Sequence, residues 1–224
     1  MKALLKTTAV AVLGVLSTFN LVDAAGHKEG DFILRAGVAH ISPNDDSSNV
    51  LSATDGVSVD SATGIGFSGT WMLTDNWGFE VLASLPFEHD INGTGSLSGV
   101  SIGSTKHLPP TFSFQYYPQV ESDTVIPYFG LGINYTKFFS EKVSPQLTAA
   151  LGTTNVEIEL DDSLGLAGQF GADWKVSKDF YVNTSIWYMQ IDTEATVKVN
   201  GAVATTVDVD IDPWVAMIGF AWKF

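Results

Sequence analysis

The sequence predicts an all-β protein: an eight-stranded, antiparallel, up-and-down β-barrel that crosses a membrane, with short periplasmic turns and long extracellular loops. Three observations predict it. Apolar side chains recur at every second position in one segment after another. No stretch after the N-terminal segment approaches the roughly 20 apolar residues of a membrane-spanning helix. The row opposite the apolar one is mostly Gly, Ser, Thr, Asn and Gln, with almost no Lys or Arg, and residues 126–136 carry no charge on either face. A solvent-facing exterior would carry charges of both signs. The bulky row therefore reads as facing acyl chains and the small polar row as facing a narrow interior.

The N-terminal segment reads differently from the rest. Lys2 and Lys6 precede an apolar core from Thr7 to Leu16, and Val22-Asp23-Ala24 supplies small residues at a cleavage site. This is the pattern of a secretory signal peptide over residues 1–24, leaving a barrel over residues 25–224. Alternation then places strands near 31–42, 62–73, 77–89, 104–117, 125–139, 162–175, 180–193 and 207–224. Short connections fall at 74–76, 118–124 and 176–179, and long ones at 43–61, 90–103, 140–161 and 194–206. Short turns on one rim and long loops on the other are the pattern of an outer-membrane barrel. Aromatic girdles are expected from Trp77, Tyr128, Trp174, Phe180, Trp222 and Phe224 on one rim, and from Phe87, Tyr135, Phe138, Phe139 and Tyr188 on the other. Phe220, Trp222 and Phe224 share one face of the last strand. That pattern looks like the signal read by the barrel-assembly machinery, which, with outer-membrane lipids, is an expected partner. Together with the export signal it predicts the outer membrane of a Gram-negative cell.

Composition excludes several classes. With 11 basic and 25 acidic residues the 224-residue chain carries a net charge of -14. Cleavage after Ala24 would remove Lys2, Lys6 and Asp23 and leave -15. Such a surface is unsuited to nucleic acid, whose phosphates must be met by Lys and Arg. The absence of cysteine excludes disulfides, thiolate metal sites and a cysteine nucleophile. No cofactor is expected. Nor is catalysis: the sequence has no G-x-S-x-G turn, H-E-x-x-H pair or phosphate-binding glycine loop. Its histidines are His27, His40, His89 and His107, and the nearest approach to a nucleophilic cluster is His89 and His107 beside Asp90 and Ser104. Acidic residues crowd the long loops (Asp45, Asp46, Asp55, Asp60; Glu157, Glu159, Asp161, Asp162; Asp208, Asp210, Asp212) without the spacing of an ion-binding loop, as on a solvated face.

Apolar residues on the inward rows are exceptions. Met72, Leu82, Trp187, Met189 and Ile191 stand among glycines and hydroxyls. Bulky apolar groups in a lumen disfavour water, so they act either as a dewetting constriction that passes an apolar solute more readily than an ion, or as a plug in a packed interior. Pro86, Pro109 and Pro110 fall inside or beside strands, where proline cannot donate to the ladder. They either leave a lateral gap in the wall or merely end a strand.

IPYFGLGINYTKFF (126–139), NWGFEVLASLPFEH (76–89), HLPPTFSFQYY (107–117), NTSIWYMQIDT (183–193) and DPWV (212–215) resemble, in order, segments of the OmpW family of small outer-membrane barrels, which includes alkane-uptake proteins. The resemblance spans nearly the whole chain after residue 24 and is weakest in the long loops. It implies passive uptake of small hydrophobic molecules through a narrow channel, with Leu82 and Trp187 at its narrowing. The alternative is a structural or surface-interaction barrel with a closed interior.

Overall fold

A computed structural model describes residues 26–48, 55–122 and 124–224. The expected signal peptide and its cleavage site lie outside them. Strands occupy β1 (Phe32–Ser42), β2 (Asp46–Ser47), β3 (Gly56–Val59), β4 (Ala62–Met72), β5 (Trp77–Ser84), β6 (Phe87–Thr94), β7 (Ser101–Leu108), β8 (Thr111–Tyr116), β9 (Val125–Val143), β10 (Val156–Leu160), β11 (Ser163–Lys175), β12 (Phe180–Met189), β13 (Asp192–Val199), β14 (Ala202–Asp210) and β15 (Trp214–Lys223). Eight of them close a ring in the order β1-β4-β5-β8-β9-β11-β12-β15, with every neighbouring pair antiparallel and β15 returning to β1.

The alternation is realised as read. Leu131 (70% exposed), Leu164 (73%), Phe170 (62%) and Trp71 (61%) project outward, while Ser68, Thr70, Ser113, Gln169 and Asn183 are buried inside. An apolar belt of this extent is not tolerated in water but is what lipid requires. At one level Gly37 of β1 pairs with both Gly219 of β15 and Gly66 of β4. A Cβ on Gly37 would stand 2.3 Å from the Ile218 carbonyl oxygen, so only glycine allows these strands to crowd together.

Three expected girdle residues belong elsewhere. Tyr128, Phe87 and Phe138 are buried inside the barrel, whereas Trp77, Tyr135, Trp174, Trp222 and Phe224 do face outward. Tyr128 and Phe138 follow the inward parity of β9. Phe87 is turned inward because Leu85 and Pro86 are both exposed, a phase slip that also puts Glu88 outside.

Within the long connections at 43–61, 90–103, 140–161 and 194–206 the described residues form further strands and a helix. Above the ring the wall divides into two sheets: the upper part of β9 with β7, β6 and β3, and a second of order β10-β13-β14-β2. The β13–β14 hairpin turns at Asn200-Gly201, both at positive φ (53° and 80°), the pair that a tight hairpin favours. Helix α1 (Pro145–Leu151) begins at Ser144, whose hydroxyl accepts from the Leu147 N–H, and ends at Gly152 in the left-handed conformation. Ring and upper sheets meet where strands break, at Leu85–Pro86, Pro109–Pro110 and Ile211–Pro213. Asp212 holds φ 38°, its carboxylate accepting from the Ile191 N–H (3.1 Å) and the Tyr188 hydroxyl (2.9 Å).

Candidate functional site

The interior is stratified. At the periplasmic end Ile33, Met72, Tyr117, Ile126, Tyr128, Tyr181 and Ala221 form an apolar cluster. The edge of the His27 ring packs against Tyr117 and Tyr181, at centroid distances of 5.5 and 5.3 Å.

Beside this cluster lies a buried ionic network. The Arg35 guanidinium donates to Asp173 through Nε (3.1 Å) and Nη2 (2.6 Å), to Thr70 Oγ1 (2.7 Å) and to the Tyr117 hydroxyl (3.1 Å), and lies 4.8 Å over the Tyr128 ring. Glu80 is 3.6 Å from Arg35 and accepts from Gln169 Nε2 at 2.6 Å. Asp173 also accepts from His27 Nε2 (3.0 Å) and Asn183 Nδ2 (2.8 Å). Gln115 links Thr70, Tyr117 and Gln169. Charges this deep are tolerated only because each is paired and further hydrogen-bonded. The network spans β1, β4, β5, β8, β11 and β12, and so fills the cross-section of the periplasmic half. The sequence signal for this network is a lone cation, Arg35, in an otherwise uncharged strand.

Higher up, Ala39, Ile41, Leu82, Phe87, Phe138, Trp187, Met189, Ile191, Val215 and Met217 pack into a second apolar cluster. It brings together four of the five inward apolar residues expected to constrict or plug the lumen, Leu82, Trp187, Met189 and Ile191. Met72 is not among them. It shares the inward parity but sits four residues below Ser68, the cross-strand partner of Leu82, or about 13 Å at ~3.3 Å per residue.

Over this cluster, between the two upper sheets, lies a cavity of about 370 Å³. Its walls are aliphatic, from Ile41, Val57, Ile91, Ile158, Val207 and Val209 among others, with His89, His107 and a few threonines as the polar exceptions. A smaller cavity of about 30 Å³ lies below, bounded by Leu82, Ser84, Phe87, Pro109, Trp187 and Met217. It abuts a break in the wall. The ladder joining β5 to β8 stops at Leu82–Thr111 and resumes between β6 and β7 at Phe87–His107. The edges of this gap are tied to other neighbours, the Leu85 N–H donating to the Ile65 carbonyl and the Tyr135 N–H to that of Pro110. Pro86, Pro109 and Pro110 all lie within it.

The histidines do not join a nucleophilic cluster. His89 and His107 face inward, while Asp90 pairs with Ser104 on the opposite face. Among the described residues no three His, Cys, Asp or Glu side chains are grouped to hold a metal ion. His107 lies above the lipid belt, and burial pushes its imidazole down to about 3, helped by neighbouring His89. A folded-state value below the unfolded 6.5 means that the neutral ring is favoured in the fold. The resulting stability is complete above pH 6.5 and is lost as pH falls toward 3. We expect amide protection factors, corrected for the intrinsic pH dependence of exchange, to fall more in β6 and β7 than in β11 and β12 between pH 7 and pH 4; an equal fall would show that the histidine does not set acid sensitivity.

A closed ring with an outward apolar belt, aromatic rims and a structured extracellular cup defines an outer-membrane β-barrel. The OmpW family model matches residues 28–224. Outer membrane protein W of Vibrio cholerae is 45% identical over 95% of this chain and 97% of its own, and that of Escherichia coli K12 is 39% identical over 98% and 100%. The crystal structure of OprG from Pseudomonas aeruginosa superposes with a TM-score of 0.81 at 40% identity, covering 90% of this chain and 99% of that one. The chain belongs to the OmpW family, and its place is the outer membrane.

Proposed function

We propose that the barrel takes small hydrophobic molecules from outside the cell into the extracellular cavity and releases them sideways into the membrane through the gap at Pro86, Pro109 and Pro110. The observation that carries this reading is the juxtaposition of an aliphatic cavity of about 370 Å³ with an interrupted strand ladder, above an interior filled with charge. An apolar solute loses water on entering such a cavity, at about 25 cal/mol per Å² of surface buried. It would have to displace the Arg35–Asp173–Glu80 network to continue along the axis, whereas the wall beside Leu82 and Pro109 lacks cross-strand hydrogen bonds. Leu82, Trp187 and Met189 act as the dewetting floor of the cavity. Transfer is passive, since apolar burial and dilution into lipid supply the free energy.

Replacing Pro86 with Val and Pro110 with Thr restores two donors to the facing strands. Octane uptake by cells carrying this variant is expected to fall toward that of cells lacking the protein, while the variant still shifts mobility between unheated and boiled gel samples. Undiminished uptake would reject the lateral exit. A structural or surface-recognition barrel is the second reading, favoured by the same buried network that closes the lower half; it predicts equal octane uptake with and without the protein.

A further inference from the structure

The cavity wall is not uniformly apolar. His89 and His107 both line it, with only 3% and 6% of their surfaces exposed. Their rings stack at 4.8 Å between centroids and 26° between planes, and Phe87 continues the stack on His107 at 5.8 Å. Burying two imidazoles here costs desolvation that packing alone does not require, since phenylalanines would fill the same stack. The position of one proton follows from the surroundings. His89 Nδ1 is 2.6 Å from the backbone carbonyl oxygen of Asp60. A carbonyl only accepts, so Nδ1 carries the hydrogen, and Nε2 of the neutral ring keeps its lone pair. That Nε2 is buried and has no hydrogen-bond partner among the described residues.

We propose that the His89–His107 pair is the polar anchor of the cavity and selects apolar molecules bearing one hydroxyl, such as alkanols and alkylphenols, over plain hydrocarbons and over carboxylates. The inference rests on the uptake reading above and narrows its solute class. A hydroxyl supplies the donor that the Nε2 lone pair lacks, while the chain occupies the aliphatic wall. A pure hydrocarbon leaves Nε2 unpaired. A carboxylate offers only acceptors and meets no cation among the described residues lining the cavity: Asp60 and Asp90 lie near His89, Asp192, Asp210 and Asp212 stand together toward the second sheet, and Lys106 and Lys142 are engaged with the exposed Glu88. Cavity shape alone would not separate these three solutes, because they share the same chain.

The test uses the whole barrel in phosphatidylcholine nanodiscs, with 1-decanol, decane and decanoate displacing a fluorescent naphthylamine and empty nanodiscs as the baseline. The expected result is 1-decanol binding about fivefold tighter than decane, the worth of one net hydrogen bond, with decanoate weakest. In His89→Phe/His107→Phe, which keeps the stack, decane binding should persist and the decanol preference vanish. A second measurement needs no variant: the unprotonated Nε2 nitrogen resonance of His89 should move on adding 1-decanol and stay put with decane. Equal affinity for decane and 1-decanol, an unmoved resonance, or a preference that survives in the double variant would overturn the anchor while leaving the uptake reading intact. Failure of all three ligands to bind the wild-type barrel would overturn both.

Discussion

Asp173→Ala is expected to destabilise the barrel by about 3–5 kcal/mol, because it leaves Arg35 buried without its bidentate partner. Glu80, 3.6 Å from Nη1, is too distant and already too engaged with Gln169 to replace it. His27 and Asn183 would lose an acceptor in the same step. The measurement is the guanidinium midpoint of the micelle-folded protein, followed by heat-modifiable mobility. The combined Arg35→Met/Asp173→Leu variant, which removes both charges and fills their volume, should recover most of the loss. A double variant no better than the single one would mean that geometry, and not uncompensated charge, governs this layer.

Trp187→Ala should also cost about 3–5 kcal/mol, from a large aromatic deleted out of a packed cluster. It would enlarge the small cavity beside Pro109, which Trp187 lines. Conductance across a planar bilayer, however, should stay at the wild-type level, because the Arg35–Asp173 layer still closes the lower half. Current should appear only when Trp187→Ala is combined with Arg35→Ala/Asp173→Ala. A rise in the single variant would place the tightest point of the interior at Trp187 and the ionic layer in an open path.

Much of the ring was legible because a strand period of two leaves little freedom: once Phe129, Leu131 and Ile133 face lipid, Gly130, Gly132 and Asn134 must face inward. Errors arose where another signal displaced parity. Tyr128 and Phe138 are aromatics near strand ends, the mark of a girdle, but their own parity in β9 turns them inward. Phe87 needed the phase slip at Pro86, which local sequence marks only as a weak point. The lone inward charges Arg35, Glu80 and Asp173 were readable one at a time, but not as partners. β1 and β11 are not neighbours in the ring, so their side chains meet only across the closed interior. The extracellular cavity was least legible, since it exists only once the two upper sheets face each other. Within those sheets only the Asn200-Gly201 turn and the Ser144-Pro145 helix start carry local signals.

The seam between β1 and β15 joins the first and last strands of the ring, with Phe32 and Phe224 exchanging hydrogen bonds of 3.1 and 2.9 Å between their backbones. Until β15 is in place, β1 and β12 each expose a row of amides that hydrocarbon cannot solvate. A ring lacking β15 would leave both of these edges unpaired, with no stable resting place in the bilayer.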